Sequence, residues 1–268
     1  MNIYWHIEND WTPQCGNIGD IINPHIVQKI TGEFPTRKTS GGNRLLICGS
    51  ILEDLQDGDS VWGIGFNKNI RFPVRKNIQF FCIRGELTYK KLLECGYNPA
   101  IIPKLFGDPC IITKELFGGK FEEKYPLGII PHYVDQPFAR NIFKDCNLHF
   151  INIINSVNKF IEEINKCEII LSSSLHGIII SESYGKKAIP IQIGHRVTGG
   201  FLKFKDYYSS TERNPLPINI YEPITERGLL KLLAEYNYEY PVYDRRKLMD
   251  SCPFGRIPHD QDSLHGNT

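Results

Sequence analysis

Four short segments place hydroxyl, imidazole and amide groups directly after apolar runs: Pro131-His132-Tyr133, Asn155, Ser172-Ser173-Ser174-Leu175-His176-Gly177 and Gly194-His195-Arg196. In open parallel sheets ligands collect beyond the carboxyl ends of the strands, so these four positions are where chemistry is expected. The serine-rich segment is the sharpest of them. It runs into an apolar stretch that reads as a helix from about Ile178, where free backbone N–H groups and the positive helix end would meet three hydroxyls and an imidazole. Such a turn suits a phosphate or a carboxylate. The same residues equally suit a plain turn with a helix cap, and spacing alone does not separate the two. In the first half, Cys15-Gly16-Asn17-Ile18-Gly19-Asp20 also opens a helix. It lacks the Gly-x-Gly-x-x-Gly order of a dinucleotide fingerprint and the Gly-Lys-Ser/Thr of a nucleotide phosphate loop. Trp62-Gly63-Ile64-Gly65, Arg84-Gly85 and Gly107-Asp108-Pro109 each follow a further apolar run.

The elements that must position these groups alternate between short apolar runs and amphipathic stretches, which is the pattern of βα units around parallel sheets. Strands are predicted at 2–7, 44–49, 60–65, 78–83 and 101–106, with helices at 20–31, N-capped by Asp20, and at 86–95. Gly32 and Gly96 should stop those helices. The second half predicts strands at 127–130, 148–154, 167–171 and 188–193, and helices at 155–166, 178–184 and 224–236. The glycine-rich, charged stretch 117–124 is the expected domain boundary, giving domains at 1–122 and 123–222 and a helix with a frayed tail at 223–268. The fold class is therefore α/β, with two small open sheets facing each other.

Composition narrows the function. The 268 residues carry 31 Lys plus Arg against 30 Asp plus Glu, a formal net charge of +1, so there is no basic excess to neutralise a nucleic-acid backbone. No apolar run reaches the ~18–20 residues of a membrane helix. The N-terminus has neither a basic start nor a secretory core, so a cytoplasmic location is expected. The eight cysteines lie singly, without metal-clamp spacing, and are expected to be reduced and largely buried.

Taken in order, Asn17-Ile18-Gly19-Asp20, Gly49-Ser50-Ile51, Trp62-Gly63-Ile64-Gly65, Arg84-Gly85-Glu86-Leu87-Thr88, Gly107-Asp108-Pro109, Ile130-Pro131-His132-Tyr133, Ser173-Ser174-Leu175-His176-Gly177 and Phe204-Lys205-Asp206-Tyr207-Tyr208 resemble the polysaccharide pyruvyl transferase family. The resemblance covers roughly residues 1–210. It implies two Rossmann-like domains in a glycosyltransferase-B-like arrangement, with the active site in the interdomain cleft. It also implies transfer of a pyruvyl group from phosphoenolpyruvate to a surface-polysaccharide sugar as a cyclic ketal, releasing phosphate without metal or cofactor. The acceptor is expected to be a galactose-type sugar, carried on a lipid at the inner face of the membrane. The resemblance places His176, Asp20 and His132 as catalytic, and Arg84, Ser173, Ser174, Gly177, Arg196 and Lys203 around the donor. Asn17, Gly19, Asp20 and Trp62 fall on the acceptor side. Many members have Arg where this chain has Ser174; the cation would then come from Arg84, Arg196, Lys203 or Lys205. Tyr207, Tyr208, Tyr236, Tyr238, Tyr240 and Tyr243 are candidates for stacking on sugar rings, or for packing. The competing readings are a nucleotide-sugar glycosyltransferase and a glycan-binding relative without chemistry.

Overall fold

The computed structural model describes residues 1–7 and 16–257. Cys15 and the tail expected to fray lie outside the described residues. The first half contains β1 (Asn2–Tyr4), β2 (Gly16–Asn17), α1 (Ile18–Thr31), β3 (Thr36–Arg37), β4 (Leu45–Leu46), β5 (Ser60–Trp62), β6 (Gln79–Cys82), α2 (Glu86–Cys95) and α3 (Thr113–Phe117). The second contains β7 (Tyr125–Ile130), α4 (Gln136–Ile142), β8 (His149–Phe150), β9 (Ile154–Asn155), α5 (Val157–Asn165), β10 (Cys167–Ser172), α6 (Leu175–Ser183), β11 (Lys187–Gln192), α7 (Leu202–Ser209), β12 (Ile218–Asn219), α8 (Glu226–Glu235) and α9 (Arg245–Asp250).

Two five-stranded sheets result, in the orders β3-β1-β4-β5-β6 and β12-β11-β10-β7-β8, and every neighbouring pair in both is parallel. Renumbered within each sheet, both follow the doubly wound order 2-1-3-4-5. Each sheet thus reverses direction once, between β1 and β4 in the first and between β7 and β10 in the second. A two-residue antiparallel ladder, β2 with β9, ties the start of α1 to the segment before α5. One apolar cluster runs through both halves, joining Ile18, Ile21 and Ile22 of α1 to Phe160 of α5 and Ile178 and Ile179 of α6.

Helix α1 shows how local chemistry sets this packing. Pro24 lies inside the helix and has no N–H for the carbonyl of Asp20. The Asn23 side chain supplies the missing donor, its Nδ2 lying 3.0 Å from that carbonyl, and its Oδ1 accepts the Cys48 N–H at 3.0 Å. The helix is thereby kept intact and fastened to the end of β4. All nine residues of α6 are buried, so this helix carries no polar face. Gly32 and Gly96 close α1 and α2 in the left-handed conformation, as the sequence leads one to expect.

Several expectations need correction. Residues 101–106 form no strand: Pro99–Ile101 make a 3-10 turn, Pro103 lacks a ladder donor, and only Phe106 bridges to Ile83. The predicted strand 148–154 is split into β8 and β9. Helix α6 begins at Leu175, so His176 and Gly177 belong to its first turn. Asn17, not Asp20, is the N-cap of α1, and Asp20 lies inside the first turn.

Candidate active site

Where the direction of each sheet reverses, adjacent strands send their following loops apart and leave a crevice at their carboxyl ends. The loops after β1 and β4 bring His6, Gly49, Ser50 and Ile51, and those after β7 and β10 bring His132, Tyr133, Val134, Ser174, Leu175 and His176. All line one cavity of about 510 Å³, with Asn17 and Asp20 from the start of α1 and Lys203 from α7. The switch points of the two sheets therefore share a single site.

The groups in it are electrostatically distinct. The Asn17 Nδ2 donates to Asp20 Oδ2 at 2.7 Å. Burial nevertheless raises the Asp20 carboxyl above its ordinary value, against the opposing pull of Asn17 and of His6, His176 and Lys203. His132 is lowered to about 3 by burial and by the charges of Lys203 and His176, so its imidazole is neutral. The Val134 N–H points at His132 Nδ1 at 3.4 Å, which leaves the proton on Nε2. Lys203 is lowered to about 8 by burial and the nearby Arg84 cation, with Asp20 and Asp135 opposing. Burial alone would lower His176, but Asp108 and Cys48 outweigh it and raise the imidazole to about 9.

His176 turns its polar atoms inward. Its Nε2 is buried 3.5 Å from Asp108 Oδ2, and its Nδ1 edge packs so closely on Gly19 that a Cβ there would lie 2.0 Å from Nδ1. The role of Gly19 is thus to make room for this ring. Behind it, Cys48, Asp108, Cys110 and His176 bring their donor atoms within 4.8 Å of one another, all buried. Cys48, Cys82, Cys110 and Cys167 are buried free thiols, while Cys95, Cys146 and Cys252 are partly exposed.

Other predicted residues lie elsewhere. Arg84 is fully buried, and its three donors go to Asp206 Oδ2 at 2.8 Å, Ser50 Oγ at 2.6 Å and the Phe66 carbonyl at 2.9 Å. It reaches the cavity only through Ser50. Trp62 is a core residue whose Nε1 donates to Ser251 Oγ at 2.9 Å. Gly177 lets α6 sit against β10, since a Cβ would meet Ser172 Oγ at 2.3 Å. Ser173 and Arg196 line an adjoining cavity of about 390 Å³ with Asp135, Gln192 and His195; Thr198 lines both cavities. There the Ser173 hydroxyl donates to Asp135 Oδ2 at 2.8 Å, and the Arg196 guanidinium lies 3.4 Å from the centre of the Phe138 ring. Of the four cations considered as replacements for the arginine absent at Ser174, Lys203 shares the main cavity with that serine; Lys205 is exposed.

Tyr207 and Tyr208 are core residues, the former donating to Glu182 Oε2 at 2.6 Å, and none of the six candidate tyrosines lines the main cavity. Tyr4 and Tyr133 do line it. Tyr133 directly follows His132 in a strand-end segment, a signal the sequence carried without singling out the ring. Tyr4, at the end of β1, and Asn67, Lys68 and Thr198, from loops, are marked by no motif.

No helix among the described residues is long and apolar enough to cross a membrane. In the basic triplet of α9, Arg245 pairs with Glu115 and Lys247 with Asp244.

A family model described as polysaccharide pyruvyl transferase matches residues 43–195, a span that contains Ser50, Arg84, Asp108, His132 and the whole serine-rich turn. The chain is also 28% identical over 207 residues to an uncharacterized protein of Acanthamoeba polyphaga mimivirus, covering 72% of this chain and 70% of the other. No solved structure matches.

Proposed function

Because the chain belongs to the polysaccharide pyruvyl transferase family, we propose that it moves the pyruvyl group of phosphoenolpyruvate onto two hydroxyls of one sugar as a cyclic ketal, releasing phosphate. The observation that carries this reading is the meeting of Lys203, the α6 N-terminus, Asp20 and His132 in one cavity. A helix N-terminus and a buried ammonium suit an anionic donor, and two groups of opposite proton affinity suit a reaction that needs an acid and a base.

In this mechanism Lys203, the Ser174 hydroxyl and the free N–H groups of the first turn of α6 hold the donor's negative charges. Asp20, whose hold on a proton is strengthened by desolvation, gives its proton to the methylene carbon, making the adjacent carbon electrophilic. His132, neutral, takes the proton of the first sugar hydroxyl on Nδ1, in place of its long 3.4 Å contact with the Val134 N–H, as the sugar oxygen attacks. The second hydroxyl then adds as the bond to phosphate breaks, and its proton leaves with the phosphate. Transfer of the first proton from His132 back to Asp20 restores both groups. Asn17 orients the acceptor and the Asp20 carboxyl together. His176 is a positioning residue: packed on Gly19 and Asp108, it fixes where the N-terminus of α6 points. Arg84 acts through Ser50 in the same sense.

The two sheets then correspond to acceptor and donor lobes in a glycosyltransferase-B-like arrangement, at 1–122 and 123–222. The adjoining cavity, with Ser173 and Arg196, gives space for the rest of the glycan, and a galactose-type, lipid-carried acceptor would bring the protein to a membrane surface. Titration calorimetry tests the donor assignment. Phosphoenolpyruvate should bind, and Lys203→Met should weaken it; binding of nucleotide sugars instead would favour a glycosyltransferase.

A further inference from the structure

The cluster behind the cavity has a composition that its surroundings do not explain. Asp108 is fully buried; its Oδ1 accepts the Cys110 N–H at 3.0 Å, but its Oδ2 has no hydrogen-bond partner. His176, 8% exposed, likewise leaves Nε2 without one. These two atoms face each other at 3.5 Å as a long ion pair without a hydrogen bond, and the Sγ atoms of Cys48 and Cys110 close the group at 3.2 Å from each other. Among the described residues, the one further acceptor near either thiol is the Gly19 carbonyl, 3.8 Å from Cys48 Sγ. Buried polar atoms are almost always paired, and two that converge on two thiols point to a missing common partner.

We propose that Cys48, Asp108, Cys110 and His176 bind one thiophilic divalent cation, with zinc the best match to the donor set. Two sulfurs, an imidazole nitrogen and a carboxylate oxygen are the ligands zinc takes. A tetrahedral zinc site sets its ligand atoms ~3.3–3.8 Å apart. The observed 3.5 Å between nitrogen and oxygen already fits, and the two sulfurs need to part by only about half an ångström. Binding displaces the thiol protons to solvent. The second carboxylate oxygen is held by the Cys110 N–H, which orients Asp108 toward the ion.

Four protein donors close such a site, so its role is structural. Cys48 lies beyond β4, Asp108 and Cys110 on the segment beyond β6, and His176 in the first turn of α6. The ion would lock the first sheet's loops to the helix that ends at the cavity. The sequence hid this because the ligands come from three distant segments, with only Asp108 and Cys110 near one another.

The inference is independent of the donor chemistry, and its test reads metal rather than turnover. Full-length protein purified under reducing conditions should contain about one equivalent of zinc by elemental analysis. After chelation and addition of cobalt(II), it should show thiolate-to-cobalt charge-transfer bands, and chelation should lower Tm. Cys110→Ser and Cys48→Ser should lose the bands, whereas Cys82→Ser, at a buried thiol outside the cluster, should keep them. If the serine variants fail to fold, the wild-type cobalt spectrum and zinc content still decide. No bound metal and no thiolate bands in the wild-type protein, bands that survive loss of both cysteines, or a Cys48–Cys110 disulfide in metal-free protein would each overturn the proposal.

Discussion

Arg84→Lys distinguishes a structural arginine from a donor-binding one. The native guanidinium makes three charge-assisted hydrogen bonds, to Asp206, Ser50 and the Phe66 carbonyl, with no exposed surface. Asp206 is shared: its carboxylate also accepts the Thr88 N–H at 2.8 Å and the Thr88 hydroxyl at 2.7 Å, fixing the first turn of α2. A lysine at 84 can keep the contact with Asp206 but not the fork to Ser50 and Phe66. Hydrogen bonds to charged groups contribute about 1.5–3 kcal/mol each, so losing two costs about 3–6 kcal/mol. For a chain of this size that is a fall in Tm on the order of 10 °C. Scanning calorimetry reads the Tm, and phosphate release at varied phosphoenolpyruvate reads KM. The expected result is a large Tm loss, with KM for the donor changed by less than about threefold in the protein that stays folded, since the lost contacts are structural. An unchanged Tm with a tenfold higher donor KM would refute this and return Arg84 to the donor site.

Gly19→Ala sets a methyl 2.0 Å from His176 Nδ1 and 2.6 Å from its Cγ; overpacking of about 1–3 kcal/mol and a marked loss of turnover should follow, and a wild-type melting curve would contradict it. Lys203→Met should weaken phosphoenolpyruvate binding about 100-fold, the worth of one buried charged contact of about 3 kcal/mol. Because Lys203 sits at about 8, donor affinity should fall in wild type as pH rises past 8 and the ammonium deprotonates, and this decline should be absent from the variant in titration calorimetry. His132 is neutral in the folded protein, with its imidazole lowered to about 3, and ordinary near 6.5 when unfolded. Its contribution to stability is therefore complete above pH 6.5 and is lost as pH falls toward 3, amounting to about 3 kcal/mol by pH 4. Urea denaturation of His132→Asn should show that much less acid sensitivity; an identical pH dependence would contradict the burial argument.

How much of this is legible in the sequence depends on where each signal lies. Helix α2 matches its predicted span of 86–95 because Gly96 supplies an unambiguous stop. The strand ends were legible too, and with them the positions of His132, Ser174 and His176 around one edge. The start of α6 was not. A helix buried on all sides has no amphipathic period, so nothing marked Leu175 as its first residue. Side-chain commitment was equally hidden: Arg84 follows a strand as a ligand-binding residue might, but its partner Asp206 lies 122 positions away. Trp62 carries a similar lesson, since an aromatic at a strand end can face the core as readily as the cleft. Lys203 had no motif of its own. Its place opposite Ser174 is a product of α7 packing over the cavity, which spacing does not encode.

Transfer of the pyruvyl group of phosphoenolpyruvate in the cavity shared by Asp20, His132 and Lys203 can be tested directly. The most direct measurement incubates the protein with phosphoenolpyruvate and a panel of galactose-, mannose- and glucose-type acceptors, following phosphate release together with product mass. Phosphate and a pyruvyl ketal should form in equal amounts on one acceptor class, with both lost in Asp20→Asn and His132→Asn. Phosphate released without a pyruvylated sugar, or ketal formation undiminished in those two variants, would contradict it.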